Sequence, residues 1–234
     1  MSNSHPIHRV IHDEAALRQF IDWLPELETH ERFYVSLFAR RKYDDRIKGS
    51  DKANLKRFVS KKDRLFEKIQ QLELPVGRYV TKDVVVQDHS LALYICPNPR
   101  CLRKASFDLV KQLMVRLENE NQAFNAHADA LTWMHRSKSR TVYVDFDIHL
   151  DVEESEKQAA VDDCMRTVKE IVGEDAVSFV ETRGGVHCLV EPRKAAGEKN
   201  WHQKITRSLT IDQQGDLLMP VPGCCQGGFV PRFV

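Results

Sequence analysis

The 234-residue sequence predicts an α+β fold: an N-terminal α/β module, residues 1–135, packed on a sheet of β-α-β-β-α-β order, residues 136–234. Three observations carry this. Hydrophobic residues recur with helical spacing in some stretches and strand spacing in others, glycine and proline punctuate them at short intervals, and near residue 136 the pattern changes to strand, helix, strand, strand, helix, strand. No repeat, low-complexity segment or flexible linker divides the chain, so the two parts are expected to form one integrated domain.

In order, Asp13 to Leu24 reads as an amphipathic helix with an acidic start, stopped by Pro25. Arg32 to Phe38 is aromatic and β-branched, hence a strand, with Arg40-Arg41-Lys42 at its end. Ser60-Lys61-Lys62-Asp63 resembles a capping box opening a helix to about Leu72. Short strands are expected at Val84 to Val86 and Leu91 to Ile95, a turn at Pro97-Asn98-Pro99-Arg100, and helices over Ser106 to Asn119 and Gln122 to Met134. The second part reads as strand Thr141 to Ile148, helix Glu154 to Val172 ended by Gly173, strands Ala176 to Glu181 and Val186 to Glu191 joined by Arg183-Gly184-Gly185, helix Glu198 to Leu209 and strand Leu217 to Val221. That order is the ferredoxin-like one, used as the palm of many nucleotidyl transferases and as the platform of RNA-recognition modules.

Composition narrows the class. With 42% hydrophobic and 29% charged residues the chain can bury a core and is not expected to be disordered. A net charge of +1 gives no whole-molecule argument for a nucleic-acid partner, so local clustering must supply one. The stretch from Arg32 to Arg64 does cluster Lys and Arg, as a solvated helix face or as a phosphate-tracking surface. The six cysteines form no Cys-x-x-Cys pair, and no signal peptide or membrane-spanning run is evident, so reduced thiols and a cytoplasmic location, with no membrane, are expected. His5, His8 and His12 read as a mobile polar terminus rather than a metal site.

The chemistry concentrates in two segments. Asp145-Phe146-Asp147 places two carboxylates on one strand face, about 7 Å apart, with Phe146 on the other. Such a pair suits a hard divalent ion with positions left open for phosphate oxygens. The hairpin Thr182-Arg183-Gly184-Gly185-Val186-His187 offers donors and close backbone approach for an anion, and the expected topology sets its strand beside the first. Arg136, Lys138 and Arg140 lead into the carboxylate strand and are candidates for the same groove. A nuclease also fits paired carboxylates; a glycosidase does not, since its acid and base flank the substrate from separate elements.

These segments resemble the archaeo-eukaryotic primase superfamily, whose pattern is a strand Asp-x-Asp, a Ser/Thr-x-x-Gly-x-His hairpin and a later Asp after an apolar residue. Here that third motif is Ile211-Asp212, preferred over Asp216; in Pro222-Gly223-Cys224, Cys224 stands where the primase-polymerase branch has Thr. The motif-bearing resemblance spans about residues 140–230, and the earlier part matches only in being an α/β module before a palm. The resemblance implies a primase or primase-polymerase that makes a short primer on single-stranded DNA by two-metal phosphoryl transfer. Asp145, Asp147 and Asp212 would hold Mg²⁺ or Mn²⁺, Thr182, Arg183 and His187 would bind the triphosphate of a nucleoside triphosphate, and Arg40, Arg41, Lys42 and Arg100 would meet template or nucleotide phosphates. A replicative helicase is the natural partner. Alternatives are a replication-initiation or nucleic-acid-binding protein of a plasmid, phage or mobile element with a degenerate primase fold, and a metal-dependent nuclease.

Overall fold

Asp13 starts the first helix, α1 (Glu14–Trp23), its carboxylate accepting from the Ala16 amide at 3.0 Å, which satisfies one of the helix's free N–H groups. The computed structural model describes residues 6–119, 125–153, 155–195 and 199–234. After α1 come β1 (Glu31–Arg40), β2 (Lys52–Ser60), α2 (Leu65–Gln70), a hairpin of β3 (Val80–Thr81) and β4 (Val84–Val85), β5 (Leu91–Cys101), α3 (Leu102–Glu118) and α4 (Ala126–Arg136). The second part contains β6 (Val144–His149), α5 (Lys157–Val172), β7 (Val177–Thr182), β8 (Gly185–Val190), α6 (Trp201–Ser208), β9 (Ile211–Gly215), β10 (Met219–Pro220) and β11 (Arg232–Phe233).

Two antiparallel sheets result, ordered β10-β5-β1-β2 and β11-β7-β8-β6-β9. Strand alternation decides what each face covers. From β1, Phe33, Val35, Leu37 and Ala39 join Leu17 and Phe20 of α1 and Leu65 and Ile69 of α2 in the main core, while Tyr34 packs with Cys96, Ala105 and Met134 beneath α3 and α4. In the second sheet Phe146, Ile148, Val186, Cys188 and Val190 face Val161, Cys164, Val168 and Val172 of α5 and Ile205 of α6. The opposite face, with Val180 and Leu189, joins the main core. The carboxylates of β6 therefore point away from the helices, toward the first sheet.

Several expectations are corrected. The basic stretch contains a strand, β2, whose exposed Lys52, Asn54 and Lys56 alternate with half-buried neighbours; it is not a helix face. No capping box forms at Ser60, whose hydroxyl donates to the Lys61 carbonyl, and a 3₁₀ turn at Lys62–Arg64 precedes α2. Pro97-Asn98-Pro99-Arg100 is not a turn but part of β5. Proline is tolerated there because the β1–β5 register jumps between Arg32 and Tyr34, and because the segment alongside, residues 137–139, bonds to the Pro99 carbonyl and the Cys101 amide and so needs no proline N–H. Asn98, fully buried, takes the place of a strand partner: its carbonyl accepts from the amides of Val142 and Tyr143 (2.8 and 2.9 Å) and its amide donates to the Tyr143 carbonyl (2.9 Å).

The strand that follows α6 in the second sheet is β9, not Leu217 to Val221. That segment supplies β10 to the first sheet, so the expected boundary at residue 136 is crossed: Val221, Cys225 and Gly227 hydrogen-bond to Leu93, Val10 and Leu91 of the N-terminal part. The N-terminal residues are also tied down. The His8 amide donates to Leu74 and its buried ring meets Asp88 at 2.5 Å, while His5 lies outside the described residues. The expected helix starts at Gln122, Glu154 and Glu198 also lie outside them. All six cysteines are free, and among the described residues no helix is long and apolar enough to cross a membrane.

Arg140 serves the fold. It donates to the buried Glu31 carboxylate at 3.1 Å and to the Glu26 carbonyl at 2.6 Å, joining the start of β1 to the segment entering β6. Burial pushes the Glu31 carboxyl up, but hydrogen bonds from Arg140, the Glu28 amide and Ser139, with the Arg140 charge, outweigh it and hold its pKa below the ordinary 4.5. A lowered pKa means stability that is fully present above the ordinary value and lost as pH falls through the folded one. Glu31→Gln is expected to cost about 1–2 kcal/mol near neutral pH, discounted because Arg140 is partly solvated. Urea unfolding should show the gap from the parent protein narrowing below pH 4.5.

Candidate active site

The register of the second sheet assembles the site. Asp147 of β6 lies opposite His187 of β8, and Asp145 lies one pair further on, opposite Leu189. The His187 ring therefore sits between the two carboxylates. Its Nδ1 donates to both oxygens of Asp145 (2.9 and 3.0 Å), and its Nε2 lies 3.5 Å from Asp147 Oδ1. Burial raises the Asp145 pKa, and the neighbouring charge of Asp147 adds to this against the pull of His187. Burial depresses that of His187, but the charge and hydrogen bond of Asp145 and the charge of Asp147 outweigh it, and the net shift is upward. The imidazole thus lies between two carboxylates that repel each other, and their charges favour its charged form.

β8 can approach β6 this closely because residue 185 is glycine. A Cβ there would lie 2.0 Å from the Ile148 carbonyl oxygen, and neither Gly184 nor Gly185 takes a positive φ, so the need is for space rather than for a special turn. Thr182 is buried at the end of β7, its hydroxyl donating to the Gly185 carbonyl at 3.2 Å.

A cavity of about 290 Å³ opens beside this cluster, between the two sheets. One wall carries Asp147, Asp212, Thr182 and His187; the other carries Arg40, Lys42 and Lys52, with Asp51 and Tyr94. Arg40 is held firmly, donating to Asp51 at 2.9 and 2.5 Å and to the Tyr94 hydroxyl at 2.5 Å. Lys42 and Lys52 stand on the open rim, yet the surrounding walls displace enough water that burial, followed by the Arg40 charge, lowers the pKa of both; Asp51 and Asp147 pull the other way. Two cationic groups crowded by a third favour an anion between them.

Asp212 is the extra residue where the β6–β9 register shifts, between Ile211 and Gln213, and it lines the cavity with Asp147. Asp216 does not. It accepts a bidentate pair from Arg100 (2.5 and 3.0 Å) and a hydrogen bond from Asn98 at 3.0 Å. This separates the two candidates for the third acidic position and also corrects the reading of Arg100, which is 1% exposed and spent on Asp216 instead of facing a phosphate. Arg183 is likewise drawn off: its guanidinium donates to the Gly227 carbonyl and stacks 4.6 Å from the Tyr43 ring. Arg41 is exposed on a neighbouring depression with Lys42, and Arg136 stacks on Trp133, 5.8 Å from its centroid. Lys138 bridges by backbone to Arg100.

Asp145, fully buried behind His187, orients that ring, while Asp147 and Asp212 present hard oxygen donors to the cavity. Among the described residues no three His, Cys, Asp or Glu side chains are preassembled around a metal position. Two cavity-facing carboxylates still fit Mg²⁺ or Mn²⁺, since Mg²⁺ takes one or two carboxylates and fills its shell from water and phosphate. Sequence reasoning singles out Lys42, places Lys52 only within the basic stretch, and does not find Tyr94 or Asp51. The alternation Lys52-x-Asn54-x-Lys56 was the available sign of an exposed strand face. Comparison with protein-family models, with curated proteins and with solved structures finds no match to this chain.

Proposed function

We propose that the chain is a primase-type nucleotidyltransferase extending or starting a strand on single-stranded DNA. The observation that carries this reading is the cavity with walls of opposite sign, Asp147 and Asp212 facing Arg40, Lys42 and Lys52. A nucleoside triphosphate bound with a cation needs both walls: carboxylates for the cation, ammonium and guanidinium groups for phosphate charge not neutralised by it. The element order β6-α5-β7-β8-α6-β9, with neighbours β7-β8-β6-β9, supports reading the second sheet as a ferredoxin-like, RRM-type palm.

In this reading Asp147 and Asp212 would hold the divalent ions, which when bound would supply Lewis-acid neutralisation of the phosphates and activation of a 3′-hydroxyl. Lys42 and Lys52 bind phosphate oxygens from the opposite wall, and Arg40, locked by Asp51 and Tyr94, adds fixed positive charge behind them. His187, held by Asp145 through Nδ1, lines the cavity with Nε2 3.5 Å from Asp147 Oδ1 and offers that nitrogen to a phosphate oxygen. Thr182 closes the floor beside the hairpin.

The test is a labelled primer–template incubated with Mg²⁺ or Mn²⁺, with and without each nucleotide class, and the template alone without primer. Lengthening that requires nucleotides is the expected result. Shortening without them would make the protein a nuclease, and an unchanged strand that nevertheless binds would make it a nucleic-acid-binding protein. His187→Ala is expected to weaken triphosphate binding by about tenfold, the cost of one charge-assisted hydrogen bond, with template affinity nearly unchanged. Equal triphosphate affinity in the variant and the parent, measured by calorimetry, would remove His187 from the nucleotide site.

A further inference from the structure

The helix α3 carries a stripe that its own fold does not use. Its inner side, through Leu102 and Ala105, packs against Tyr34, Cys96 and Met134. Its outer side leaves Phe107 73%, Val110 57%, Met114 59% and Leu117 65% exposed. Large apolar residues in one row on an otherwise charged surface mark an interaction site. The spacing is three, four, three, the seam of a coiled coil. It is also symmetric about Gln112. Turned end for end, the helix presents the same row, with Phe107 against Leu117 and Val110 against Met114 of a second helix.

The charges have the same symmetry. Arg103 and Lys104 are exposed at the start of α3, whose first turn contains no acid, and Glu118 is exposed at its end. Each end therefore opposes the helix macrodipole, which favours acids at the start and bases at the end. Arg116, the one base in the last turn, is already paired with Asp129 of α4 at 3.0 Å. An antiparallel copy removes both conflicts: the Lys104 end of one helix lies within a turn of Glu118 on the other, and each dipole meets its opposite.

We propose that two copies of this chain associate through α3, antiparallel about a two-fold axis near Gln112, with Phe107, Val110, Met114 and Leu117 as the seam. Such a contact is isologous and closes on itself. A 17-residue helix is about 25 Å long, so the pair covers less than the roughly 800 Å² per partner of a standard interface, and the dimer is a concentration-dependent one.

Sedimentation velocity between about 1 and 500 µM is expected to show a monomer–dimer equilibrium, the range where a contact below standard size falls. Phe107→Glu should raise the dimer dissociation constant by about tenfold or more, as replacing the seam's one aromatic anchor by a charge does, with an unchanged circular dichroism spectrum. Lys104→Glu and Glu118→Lys should each weaken the dimer, and the two together should restore it, a rescue only the antiparallel arrangement gives. A parent protein that stays monomeric across the range, a dimer indifferent to Phe107→Glu, or charge reversals that fail to rescue each other would overturn the proposal.

Discussion

Asp147→Ala is expected to lower template-directed nucleotide incorporation on the order of 10³-fold, the scale lost when a group that stabilises transition-state charge is removed from an enclosed site. The effect should be this large because the residue joins three features of the site. It faces the cavity with Asp212, it stands 3.5 Å from His187 Nε2, and its charge reaches Lys42 and Lys52 on the opposite wall. Asp212→Ala should fall by a similar factor and raise the Mg²⁺ or Mn²⁺ concentration needed for half-maximal rate. Asp145→Asn, changed behind the imidazole and not in the cavity, should lose less activity and leave that metal dependence nearly intact. Single-turnover incorporation over a metal titration separates the three. A folded Asp147→Ala protein working within a few-fold of the parent would remove the carboxylate wall from the chemistry.

Asp216→Ala is expected to destabilise the fold by about 3 kcal/mol, near the lower end of the cost of breaking a buried ion pair, since the Asp216 side chain keeps 23% of its exposure. The change would leave the Arg100 guanidinium, 1% exposed, without its bidentate acceptor, and the Asn98 amide without one of its two partners. Arg100 lies in the first sheet and Asp216 directly follows β9 of the second, so the pair links the two. Replacing both, Arg100→Met with Asp216→Leu, should recover much of the loss, because burial of two apolar groups avoids the unpaired charge. Urea unfolding with an unchanged m-value measures this; a loss below about 1 kcal/mol in the single variant would show that water reaches the guanidinium.

Where local chemistry and tertiary context agree, the elements were legible in the sequence. Asp13 caps α1 as its side chain predicts, the β-branched and aromatic run forms β1, and the Asp-x-Asp segment puts Phe146 in the core beneath the helices and both carboxylates on the other face, as strand period requires. Where the two compete, the sequence misleads. β2 hides its period behind Lys52, Lys56 and Arg57, whose long charged side chains suit any exposed element. Pro97 and Pro99 signal a turn, yet sit in β5 where a register jump, and pairing through the Pro99 carbonyl and the Cys101 amide, remove the need for their missing N–H groups. β9, Ile-Asp-Gln-Gln-Gly, is too polar to announce itself because it is an edge strand, while the more apolar Met219-Pro220 pairs in the other sheet.

The same division holds for the site. The sequence by itself determined which residues cluster on one sheet face, because strand period puts Asp145 and Asp147 on one face and the hairpin brings His187 to them through local pairing. Only the tertiary structure decided what they face and which of them are free. Arg40, Lys42 and Lys52 reach the carboxylates because two sheets about a hundred residues apart in sequence share a cavity. Asp212 rather than Asp216 lines it because Arg100, 116 positions away, claims Asp216. Residue type and spacing set the donors available; only long-range packing assigns each donor its partner.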